Sequence, residues 1–105
     1  MARKAKKPEY VTCAIAGRFD DKAASDLADK LAPKVKGKSV LGAILDFSDA
    51  THITAGGIVG LNRLGEQMRS DGKELIVRAM RSEMYKALKV GGVSDAVGFT
   101  HRSIS

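Results

Sequence analysis

The sequence predicts an α/β fold: a mainly parallel sheet of four strands with about three helices. Three observations carry that prediction. Short β-rich runs alternate with segments whose apolar residues recur every three or four positions, giving strand, helix, strand, helix, strand, helix along the chain. The run over 40–47 is almost continuously apolar, as in a central strand covered on both faces or set deep in a sheet. The chain has 105 residues, 44% of them hydrophobic, which supplies one core but not two. Residues 9–105 are therefore expected to form a single domain, behind a basic flexible arm over residues 1–8.

The first strand is "YVTCAIAG", Tyr10 to Gly17, which alternates with β-branched residues and ends at the glycine. Cys13 is the only cysteine; with Val11 and Ile15 at period-two spacing it reads as a buried strand position, with no disulfide or cysteine metal site. Asp20 or Asp21 caps the first helix. Ala24, Leu27, Ala28, Leu31 and Val35 then form its inner stripe, with Lys22, Asp26, Asp29 and Lys36 outside. Pro33 distorts the last turn before Gly37 ends the helix.

The second strand, "VLGAILDF", runs from Val40 to Phe47, and Ser48 and Asp49 make a turn after it. Asp46 orders the loop beyond this strand by accepting backbone N–H groups. The second helix spans Ala55 to Ser70, with Gly57, Ile58, Leu61, Leu64, Gly65 and Met68 on one face. Asn62, Arg63, Glu66, Gln67, Arg69 and Ser70 lie opposite. An Asp71-Gly72 turn introduces a strand over Lys73 to Met80. Ser82 caps a short third helix through Met84, Ala87 and Leu88, stopped by Gly91-Gly92. The tail after Gly92 adds one short edge strand or helix.

Charge and motif content exclude several functions. The net charge is +6, but Arg3, Lys4, Lys6 and Lys7 fall in the first seven residues, so the remainder is nearly balanced. Such an arm can approach anionic lipid, whereas no aromatic interleaving or helix-turn-helix supports nucleic-acid binding. No run of ~18 apolar residues occurs and no apolar core follows the basic start, which points to the cytoplasm. His52 and His101 are the two histidines, neither near clustered carboxylates, so no metal is expected. No cofactor motif is present: Gly56-Gly57 lacks the lysine of a phosphate loop. Asp46 sits where a receiver-type phosphoacceptor would, yet Gly17-Arg18 stands in place of the acidic pair such a site needs. The chain reads as non-catalytic.

One stretch stands out, "DATHITAGGIVGL", Asp49 to Leu61. Gly57, Gly60 and Gly65 lie inside the second helix and together disfavour it by about 2–3 kcal/mol relative to alanine. Two readings are open. Gly57 and Gly65 let the helix backbone approach the sheet; Gly56 leaves the amino end clear, where N–H groups and the helix dipole can receive an anion or a partner's side chain. Thr54 is the N-cap.

Taken together, "GRFD" (Gly17 to Asp20), "AILDFSDATHITAGGIVGL" (Ala43 to Leu61), "DGKELIV" (Asp71 to Val77) and "ALKVGGV" (Ala87 to Val93) resemble the STAS domain, the fold of bacterial anti-sigma factor antagonists. The resemblance covers roughly residues 9 to 100. It implies a protein-interaction module that binds an anti-sigma factor or serine kinase around the start of the second helix and is released by phosphorylation of a serine there. Aligned without gaps, the family's Asp-Ser-Ser-Gly-Leu falls on Thr54, Ala55, Gly56, Gly57 and Ile58. Gly56 therefore occupies the acceptor position and has no hydroxyl.

The surface so implied is the 48–57 loop, with Ser48, Asp49, Thr51, His52 and Thr54 ahead of Ala55, Gly56 and Gly57. Val59, Asn62, Arg63 and Glu66 extend it along the exposed edge of the second helix. Thr54, or Thr51, is the alternative phosphoacceptor, and an aliphatic Val59 off the apolar face is a hint of contact. Two alternatives accompany this reading. One is a STAS subunit that stabilises the ATPase of a membrane lipid transporter, with the basic arm near lipid. The other is an anion- or nucleotide-binding module at the amino end of the second helix.

Overall fold

The structure, a computed structural model, describes residues 9–99. The basic arm expected over 1–8, and residues 100–105 with His101, lie outside the described residues. The elements are β1 (Glu9–Phe19), α1 (Asp21–Lys34), β2 (Val40–Ile53), α2 (Ala55–Ser70), β3 (Glu74–Arg78), α3 (Ser82–Gly91) and β4 (Val97–Phe99). The four strands lie in the order β1-β2-β3-β4, and every neighbouring pair is parallel. Each connection therefore crosses over through a helix, and the usual right-handed sense of such crossovers puts all three helices on one face.

The burial pattern agrees with a sheet covered on that face. Cys13, Ile15, Phe19, Ala43, Leu45, Phe47, Leu75, Val77 and Val97 are buried from the strands, and they join Leu27, Leu31, Leu61, Leu64, Met68, Met84 and Leu88 from the helices in one core. Phe19 and Phe47 meet edge to face at 5.4 Å between ring centroids, a favoured aromatic geometry. On the opposite face Thr12, Ala14 and Ala16 are exposed, and Ile44, Asp46 and Ile76 are only half-buried. The nearly unbroken apolar run of β2 does not mean cover on both faces: its two buried classes are a core row and a row on an open face.

Several boundaries differ from those the sequence suggests. β1 does not stop at Gly17, which bends within it at φ 72°, and instead runs on to Phe19. β2 is 14 residues long where its partner β1 has 11. The difference is taken up by three irregularities, at Glu9/Tyr10, Ala14/Ala16 and Gly17/Arg18, at each of which β2 advances one residue further than β1. Such bulges re-aim side chains and bend a strand. Ser48 and Asp49 are thus part of a bulged strand and not a turn after it.

The helix ends follow ordinary capping. Asp20 accepts from Ala23 N–H at 2.9 Å and opens α1. α1 ends at Lys34 with Val35 as its cap residue, before Gly37 is reached. α3 has Arg81 at its N-cap with no side-chain cap bond, so Ser82 is its first helical residue and not its cap. Gly92, at φ 90°, ends it.

Candidate functional site

Two strand-to-helix junctions lie side by side beyond the carboxyl end of the sheet. β1–β2 pairing continues past the end of β3, whose pairing stops at Asp46↔Arg78, on to Arg18↔His52 and Phe19↔Ile53. The carbonyl of Phe19 then accepts from Thr54 N–H at 3.1 Å. Thr54 caps α2, its Oγ1 accepting from Gly57 N–H at 3.0 Å. The α2 start is therefore tied to the α1 start through Phe19, and the spacing leaves no room for side chains.

Each glycine at this junction answers to a particular neighbour. A β-carbon on Gly57 would stand 2.1 Å from the Phe19 carbonyl oxygen, and one on Gly60 would stand 2.4 Å from the Ala24 β-carbon. One on Gly65 would stand 2.7 Å from Val97 Cγ2. Gly56 does not leave the helix end clear. Its missing side chain faces α1, where a β-carbon would come 3.0 Å from that of Asp21. The helix-propensity cost of these residues is thus offset by close packing of α2 on β1, α1 and β4.

The polar residues beyond Phe47 are exposed on the β1–β2 ribbon. Asp46 accepts from Ser48 N–H at 2.9 Å and lies 3.4 Å from Arg78 Nη2. The Ser48 amide first, and then Arg78, holds the Asp46 carboxyl below its usual range. Ser48, Asp49, Thr51 and His52 are exposed, with His52 Nδ1 3.1 Å from Thr51 Oγ1. Among the described residues no three His, Cys, Asp or Glu side chains come together in a metal-binding arrangement.

Along α2 the residues singled out from the sequence divide between two sides. Val59, 55% exposed, and Arg63 line an open groove with Gly56 and Gly60, closed on the α1 side by Asp21, Ala24, Ser25 and Ala28. Its volume is about 360 Å³, and Ala28, Leu64 and Gln67 continue it into a second hollow along the same helix pair. Asn62 and Glu66 are elsewhere. Asn62 donates to Gly92 O at 2.8 Å and accepts from Ser94 N–H at 2.9 Å, while Glu66 accepts from Ser94 Oγ at 2.7 Å. These two anchor the α3–β4 connection and do not belong to the groove. The α1 wall, Asp21 to Ala28, was not anticipated; the signal for it was the pairing of small residues, Ala24 and Ala28 on one helix with Gly56 and Gly60 on the next.

Comparison with known proteins gives a family match and several structural ones. A family model described as the STAS domain matches residues 2–104. No curated protein matches the sequence. Among solved structures, the unphosphorylated form of the anti-sigma factor antagonist SpoIIAA is similar with a TM-score of 0.65 and 13% identity, over 96% of this chain and 86% of that one. A Moorella thermoacetica RsbS variant, with glutamate in place of a serine, is similar with a TM-score of 0.69 and 13% identity, over 85% and 76%. A sulfate transporter family protein from Wolinella succinogenes is similar with a TM-score of 0.61 and 20% identity, over 95% and 83%. At these identities the likeness is one of fold.

Proposed function

The chain belongs to the STAS family, and on that footing we propose that it is a non-catalytic protein-interaction module that docks a partner of the anti-sigma factor or serine-kinase type. The docking surface is the exposed end of β2, from Ser48 to His52, with Thr54, Ala55 and the groove between α1 and α2. One observation carries the reading furthest: Val59, a large aliphatic side chain left 55% exposed, stands at the lip of a groove floored by glycines beside a cationic Arg63. The groove beside Val59, and not the exposed side chain alone, is what gives a partner's side chain a place to enter.

Regulation by phosphate at the usual position is not part of this proposal. Gly56 has no hydroxyl, and the missing side chain is turned toward Asp21. Thr54 spends its oxygen on the α2 cap. Binding is therefore constitutive with respect to that position. The same Asp21 disfavours a nucleotide or phosphate at the amino end of α2, because a carboxylate beside Gly56 repels an incoming anion.

The experiment is crosslinked capture of the tagged protein from its own cells, with identification of the captured partner and the intact mass of the bait. An anti-sigma factor or kinase, with the bait unmodified, supports the proposal. Capture of a transporter ATPase replaces it by the transporter-subunit reading, for which the fold likeness to the Wolinella protein is the supporting observation. A mass gain of one phosphate makes the binding switchable, and fragment mapping of the bait then decides whether Thr54 or Thr51 carries it.

A further inference from the structure

Because the strands are parallel, all four begin at one end of the sheet, and α1 and α2 finish there. The α1–β2 connection at that end is rich in lysine. Lys30 and Lys34, one helical turn apart on α1, and Lys36 and Lys38 in the connection are all exposed, and residues 30–45 contain no aspartate or glutamate. None of these four lysines is in an ion pair among the described residues, whereas Lys22, earlier on the same helix, lies 3.4 Å from Asp26. Residues 1–8 and 100–105 supply no partner either, since neither segment contains an acidic side chain.

The connection is held by bonds that leave these four side chains out. Lys73 Nζ donates to Gly37 O at 2.8 Å and to Val40 O at 2.6 Å, and Glu9 N–H donates to Ser39 O at 2.9 Å. The last bond sets the start of β1 against the connection, so the segment that carries Arg3, Lys4, Lys6 and Lys7 joins the domain next to Lys38. Five acids share this end, Glu9, Asp29, Asp71, Glu74 and Asp95, with Arg69 and Lys73 among them. Set against those seven groups, the other eight bases leave an excess of five positive charges, nearly the whole net charge of +6.

We propose that this end of the domain lies on an anionic membrane surface, with residues 1–8 and the Lys30–Lys38 segment acting together as one polybasic contact. Clusters of four to eight basic residues are attracted to such a surface. Three features choose lipid over nucleic acid. Leu41, 43% exposed, is the extra residue that the Glu9/Tyr10 irregularity leaves unpaired at the head of β2, and it offers an aliphatic group to the headgroup region. No aromatic is placed to stack on bases: Tyr10 is bonded to Glu74, Phe19 and Phe47 are buried, and Tyr85 and Phe99 pack on each other. Seven of the eight bases are lysines, point charges that suit a diffuse surface better than bidentate base recognition. The Ser48–His52 surface is at the opposite end of the sheet and faces away from the bilayer.

Cosedimentation of the full 105-residue chain with vesicles of pure phosphatidylcholine, or of its equal mixture with phosphatidylglycerol, tests the contact. Binding to the mixed vesicles alone is expected, falling at least tenfold between about 0.1 and about 0.5 M salt. Lys36→Glu with Lys38→Glu should weaken it at least tenfold at an unchanged thermal midpoint. Lys86→Glu with Lys89→Glu, an equal change of charge on α3, should stay within about twofold of wild type. Leu41→Ser should weaken binding at least threefold with no change of charge. Binding to neither vesicle, or equally to both, overturns the proposal. Binding that the Lys36 and Lys38 pair leaves intact belongs to residues 1–8 alone, and equal loss from the two double variants reports net charge alone; either result also overturns it. If RNA at equal phosphate concentration strips most of the protein from the vesicles, or Leu41→Ser binds like wild type, the surface is not one for lipid and the proposal fails.

Discussion

Gly60 and Ala24 meet where α2 crosses α1: a β-carbon at position 60 would stand 2.4 Å from that of Ala24. The contact fixes how close the two helices run and so sets the width of the groove between them. Gly60→Ala should destabilise the domain by about 1–3 kcal/mol through overpacking. Moving the methyl group instead of adding one should restore most of that loss, so Ala24→Gly with Gly60→Ala should return to within about 1 kcal/mol of wild type, a non-additive pair. Urea denaturation of the two single variants and the double variant reads both values.

Gly57 offers no such rescue. Its neighbour is the Phe19 backbone carbonyl, at 2.1 Å from an added β-carbon, and a carbonyl within β1 cannot be traded for another group. Gly57→Ala should cost about 3 kcal/mol or more, measured as a fall in the urea midpoint. A loss under about 1 kcal/mol would mean that α2 can shift on the sheet.

The Thr54 cap is a smaller and more local matter. Thr54→Ala removes the acceptor for Gly57 N–H and should lower stability by about 1 kcal/mol, with Thr54→Ser close to wild type. Denaturation curves of the two variants, recorded side by side, separate loss of the cap from loss of the methyl group.

Two groups make stability depend on pH in opposite ranges. Asp46 is held below its ordinary value by the Ser48 amide and Arg78, so its contribution is complete above the unfolded carboxylate pKa and is lost as pH falls through the lower folded value. Asp46→Asn should flatten the acid limb of the stability curve below about pH 4. Tyr10 is raised by its hydrogen bond to Glu74 and by the charge there. It stabilises fully below the unfolded tyrosine pKa, and that contribution goes as pH rises through the higher folded value. Ultraviolet titration of the chain's two tyrosines should show one above the ordinary range, and Glu74→Gln should bring it back.

The order of elements was legible because it rests on local signals. Asp20 and Thr54 are side-chain caps at the expected positions, and the span Ala55–Ser70 emerges from its 3.6-residue period. The STAS match over 2–104 agrees with the family resemblance of the motifs. What failed was tertiary. The continuation of β2 through Ser48 to Ile53 depends on pairing with β1 across three bulges, which no local propensity announces. Gly56 looked like an open helix end because its neighbour, Asp21, is distant in sequence. The hydrogen bonds of Asn62 and Glu66, placed on the exposed edge of the second helix, could not be read from the sequence because their partners lie some thirty residues on, at Gly92 and Ser94. Ser82 had cap chemistry, yet the backbone placed Arg81 at the cap.

The proposed function turns on the α1–α2 groove, with Val59 and Arg63 at its lip, as the place where a partner docks. The most direct measurement is the affinity of the captured anti-sigma factor or kinase for wild type, Val59→Asp and Arg63→Glu, with Lys86→Ala on α3 as a control away from the groove. Docking in the groove predicts a loss of at least tenfold for each groove variant, about 1.4 kcal/mol, with folding intact and the control unchanged. Equal affinity across all four proteins would contradict it.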